Sequence, residues 1–158
     1  MSDAPSAEER ATWQRRLASQ ANNRAWTLAE ASARTPEEDD ELLEAANAAM
    51  FFWNIVGTAG HRAHAAQLLA HAYALRGFGD AARRYFAKCE AIVFGEDAAP
   101  WEHAMAHAIA ANVAAASGDA AAHRTHYAEA SRLVATLESD DDRNVVEATL
   151  RVIPVPAT

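Results

Sequence analysis

A chain of 158 residues with a formal net charge of −8 is long enough for one domain with a buried core, and it lacks the basic face that nucleic acid or an anionic membrane requires. Its single cysteine, Cys89, excludes an internal disulfide, and no apolar run approaches the length that spans a bilayer. Apolar residues make up 51%, much of it alanine, with only 6 glycines and 5 prolines at segment edges, a balance that points to an all-α protein.

The first ten residues carry neither a basic leader nor an apolar stretch, so the expected location is cytoplasmic. Ser6 followed by Glu9 is a capping-box pattern. It opens a first helix over about 7–33, with Trp13, Leu17, Ala21 and Leu28 expected on one face. Asn22 and Asn23 interrupt that helix, and they read either as solvated or as facing a groove. Thr35, Pro36 and Glu38 form a second capping box, with proline at the first helical position. The acidic run 37–41 then sits on the positive end of a helix dipole, which explains it without a metal.

The second helix, about 36–56, ends in Met50-Phe51-Phe52-Trp53-Asn54-Ile55-Val56. Large apolar residues all round a helix end predict burial in the middle of the domain, with a subunit interface through Phe51, Phe52 and Trp53 as the other place for them. After the break at Gly57 to Gly60 come helices over about 61–76 and 80–94, joined by Gly77-Phe78-Gly79. Leu68, Leu69, Ala72, Tyr73 and Leu75 stripe the first. Ala81, Ala82, Tyr85, Phe86, Cys89, Ile92 and Val93 stripe the second, with Asp80 as its expected cap and Cys89 as a buried structural thiol. Helices over about 100–117 and 120–138 repeat the plan around Ser117-Gly118-Asp119. A short helix over about 141–151, with aspartate caps, is expected to cover the last pair, and residues 153–158 read as an extended tail beyond an ordered core of 5–152.

Leu69-Ala70-x-x-Tyr73, then Gly77, then Ala82-x-x-x-Phe86 resembles the tetratricopeptide repeat. The match departs from the family where Ala70 stands for glycine and where Phe94 stands for the closing proline. The resemblance implies a right-handed array of about three antiparallel hairpins with a C-terminal capping helix, all in one domain. Three further stretches, Asn22-Asn23-Arg-Ala-Trp26, Arg34-Thr-Pro-Glu-Glu-Asp39 and Trp53-Asn-Ile-Val-Gly-Thr58, are similar to a group of short uncharacterised bacterial proteins of this repeat-like type. That second resemblance implies no activity.

In the repeat family the first helix of each hairpin lines a concave groove. The resemblance therefore implies groove positions at His64, Gln67 and His71, and at Met105, Ala108 and Asn112 of the third hairpin. Asn112 fits the asparagine with which some members clamp a carboxylate terminus. The basic residue such clamps add is missing, with Gln67 and Ala108 in those places.

Seven histidines invite a metal reading. His103 and His107 are spaced i,i+4 and His123 and His126 i,i+3, but a catalytic metal needs about three converging ligands. No H-E-x-x-H, nucleophile elbow, phosphate loop or dinucleotide fingerprint is present, and no cofactor is implied. The expected function is binding of a protein or peptide partner without catalysis, with a homodimer as one form of it. The competing expectation is a metal-dependent enzyme using clustered histidines.

Overall fold

A computed structural model describes residues 4–158, and among them it holds eight α-helices and no strand. They are α1 (Ala7–Ala29), α2 (Pro36–Val56), α3 (Ala59–Leu75), α4 (Gly79–Ala87), α5 (Glu90–Val93), α6 (Pro100–Ala116), α7 (Ala120–Thr136) and α8 (Asp140–Leu150). The all-α expectation holds. No described helix is long and apolar enough to cross a membrane.

The capping boxes at Ser6 and Thr35 form as their spacing predicts, each with both reciprocal hydrogen bonds. Other ends differ from expectation. Helix α1 stops at Ala29, because the Leu28 carbonyl takes the Ala31 amide at 3.3 Å and the Arg34 guanidinium at 3.1 Å. That side chain satisfies an end that would otherwise continue. Helix α3 starts at Ala59 because Thr58 caps it in a box with His61. Asp80 does not cap α4; it pairs with Arg83, and Phe78 holds the cap position without a side-chain bond. Ser139, not an aspartate, caps α8.

The helix expected over 80–94 is broken at Lys88 and Cys89. The Phe86 carbonyl there accepts both the Cys89 amide and, at 3.1 Å, its thiol, a three-residue spacing tighter than the α-helix. Cys89 is fully buried, as a structural thiol should be, and burial pushes it up to about 12.

Helix α1 packs on α2 and α3, α3 on α4 and α6, and α6 on α7 and α8. Two buried clusters result, and Trp26, Met50, Tyr73 and Tyr85 lie partly buried against both. More than half of the buried apolar residues are alanines. Helices α3 and α6 are therefore covered around most of their circumference, and small side chains let their neighbours approach closely.

Two glycine turns set this packing. Gly77 and Gly118 have φ of +77° and +75°, the left-handed conformation that closes a helix before the next begins. Gly79 meets the second turn directly: a Cβ there would lie 2.9 Å from Ser117 Cα. The Ser117 hydroxyl reaches the Gly79 carbonyl at 3.3 Å.

Two expectations about apolar surface are corrected. Leu28 is buried as expected, but Trp13 and Leu17 of the same stripe are exposed, because α1 turns Ala18, Ala25 and Ala29 inward instead. The Phe51–Trp53 cluster is not in the middle of the domain. The buried stripe of α2 is Leu42, Ala46 and Ala49, which leaves Phe51 at 62% exposure and Ile55 at 50%. Phe52 is partly buried edge-on to Phe51, and Trp53 stacks on His61 at 4.3 Å. The tail over 153–158 has no helix, but its start is anchored: Ile153 is buried and the Pro154 carbonyl accepts from His123 Nε2 at 2.8 Å, while Val155 is exposed.

Candidate functional site

The chemistry of the site begins with where the polar residues of α3 and α6 go. His71 is enclosed in the core, and Asn112 lines a different cavity from His64 and Gln67, with Ala74, His123 and Pro154. Both are buried, and the Asn112 amide donates to His71 Nδ1 at 3.0 Å. Trp26 of α1 lies over His71, with ring centroids 6.1 Å apart. Burial, reinforced by the Arg34 charge, lowers the His71 imidazole to about 3. It is therefore neutral, and its Nε2 has no partner. The physical reason for the difference is closure: α1 brings Trp26 against a face that an open array would leave to solvent.

His64, Gln67 and Met105 do come together. They line one cavity of about 280 Å³ with Asn22, Trp26, Glu30, Val93, Trp101, Glu102 and Val145. The walls are thus α1, α3, α6 and α8, with Val93 of α5. Gln67 is only 5% exposed, and its Nε2 finds no acceptor. His64 Nε2 faces Glu102 Oε1 at 3.1 Å, while Glu102 Oε2 accepts the Ala99 amide at 2.6 Å. Glu30 is exposed as a residue, but partial burial of its carboxyl raises it above its ordinary value, and the Arg151 charge opposes that rise. Trp26, Trp101, Glu30 and Val145 escaped the sequence reading. The signal for Trp26 was present, since it stands off the stripe that was expected to pack and beside Asn22.

Every histidine has a local structural partner. His61 closes the α3 capping box, His64 meets Glu102 and His71 meets Asn112. His103 Nε2 donates to the Gly95 carbonyl at 2.9 Å. His123 donates to Pro154. His107 and His126, from different helices, face each other Nδ1 to Nδ1 at 2.9 Å beside Phe94. Burial lowers both of these imidazoles. His103 and His107 therefore do not share a point in space, and no group of three His, Cys, Asp or Glu side chains converges among the described residues.

No protein-family model, curated protein or solved structure matches the chain.

Proposed function

We propose that the chain is a non-enzymatic, tetratricopeptide-repeat-like helical protein of the cytoplasm that binds a protein or peptide partner in the cavity between α1, α3, α6 and α8. The observation that carries this reading is the cavity's lining: Trp26, Trp101 and Met105 beside Gln67, whose buried amide nitrogen lacks an acceptor. Concave sites that join apolar walls to a few polar groups are where ligands bind. The pairing of α1 with α2, α3 with α4 and α6 with α7, with α8 against α6, supports an array of three hairpins and a cap. Peptides selected on the 158-residue chain test the reading. They should shift the indole resonances of Trp26 and Trp101 in ¹⁵N spectra, and Trp101→Ala should weaken them. Selected peptides that leave both indoles unmoved would overturn the site.

A second reading has its own observation. Trp13 is 60% exposed, as are Phe51 and Ile55 to similar degrees. The Arg24–Glu41 ion pair at 2.6 Å fixes the register of α1 on α2. Counting eleven residues back and forward from that pair puts Trp13 level with Phe52, on the order of 16 Å along the hairpin. One end of the hairpin thus carries the exposed apolar side chains of both helices, and a second copy of the chain would cover them.

A further inference from the structure

The cavity is lopsided in charge. Its lining contains two carboxylates, Glu30 and Glu102, and no lysine or arginine. Glu102 is engaged by Ala99 and His64. Glu30 is not engaged among the described residues: its carboxylate enters no hydrogen bond or ion pair, and Arg151, the cation that acts on it, lies outside the lining. Two indoles share the wall, and an indole face attracts a cation. A volume of about 280 Å³ is at the small end for a ligand site, enough for one long side chain and not for a folded element.

We propose that the cavity receives the arginine or lysine side chain of a peptide partner, with Glu30 as its counter-charge, the indoles of Trp26 and Trp101 as its walls, and Gln67 Nε2 donating to a carbonyl of the peptide. The inference rests on the binding function proposed above and adds the class of residue that is read. It accounts for three features together: an unpaired carboxylate beside a cavity, a buried amide donor without an acceptor, and a lining with two indoles and no lysine or arginine. An acidic or carboxylate-terminated ligand would meet repulsion there. The departure from the carboxylate clamp at Gln67 and Ala108 agrees in sign.

The test uses the 158-residue chain and three probes of similar length: the Nα-acetyl methylamides of arginine, norleucine and glutamate. Putrescine serves as a free-amine control. Binding is followed through the Trp26 and Trp101 indole resonances. The arginine probe should bind saturably and more tightly than norleucine, glutamate should not bind, and added salt should weaken binding. Glu30→Gln, at an exposed position where folding is not at stake, should weaken the arginine probe about tenfold. Norleucine binding as tightly as arginine, or an unchanged affinity in Glu30→Gln, would overturn the cation inference and leave the cavity as a binding site. Putrescine binding with the arginine probe silent would overturn the peptide source. Silence from every probe would overturn both the inference and the binding function beneath it.

Discussion

Gly79 and Gly60 separate two consequences of lacking a Cβ. At Gly79 the backbone of Ala116 and Ser117 occupies the space, and backbone cannot swing away. Gly79→Ala should cost about 2 kcal/mol or more in urea unfolding, the scale of overpacking. Gly60 lies inside α3 with only the Thr58 hydroxyl nearby, at 3.7 Å. Gly60→Ala should stabilise by about 0.5–1 kcal/mol, because alanine is the better helix former. His71 makes a prediction of another kind. An unfolded imidazole takes up its proton near pH 6.5, and the buried one does so only at about 3. The unfolded state therefore binds more protons in that window, and stability falls as pH drops through it, by about 2 kcal/mol between pH 6.5 and 5. His107 and His126 act in the same direction. Chemical denaturation across this range should show the loss, and His71→Gln should flatten its slope.

At the scale of elements, capping chemistry was the most legible part of the sequence. Ser6, Thr35 and Pro36 mark helix starts because the bonds involved are local, between residues three apart. Helix ends and breaks were less legible. The stop at Ala29 depends on Arg34 folding back, and the break at Cys89 depends on a thiol bonding its own preceding turn. Neither leaves a glycine or proline to read. The start of the C-terminal tail shows a related limit: nothing local marks Ile153-Pro154 as anchored, yet they are held by a cluster and a histidine distant in sequence. Ile153→Ala should cost about 2 kcal/mol or more as a buried-residue deletion. An unchanged denaturation midpoint would mean that the segment is not anchored.

For the molecule as a whole, the helical class follows from composition, but the site depends on how separate helices converge. His64, Gln67 and Met105 reach one cavity while His71 and Asn112 face each other in the core, although all five share the same repeat-derived reasoning. Spacing along a helix puts residues on one face; it does not say which neighbour closes over that face. The aromatic cluster of α2 shows the same limit, since the depth of Phe51 is set by α1 and α3 and not by its own surroundings in the chain. If a second copy covers Trp13, Phe51 and Ile55, light scattering should give a mass that rises with concentration toward twice 17.0 kDa. Phe51→Glu should hold the chain at the monomer mass without lowering its stability.

The alanine-built interior has a bearing on how this protein tolerates change. A methyl group is small, so truncating a buried alanine of α3 or α6 opens no large void, whereas truncating Leu68, Leu69 or Ile109 would. Enlargement has nowhere to go, because each neighbour is already in contact. A saturation-mutagenesis survey of the alanine positions in these two helices should therefore be asymmetric, with glycine costing about 1 kcal/mol and leucine or phenylalanine costing more. Accepted gains in bulk should arrive only with a matching loss on the facing helix.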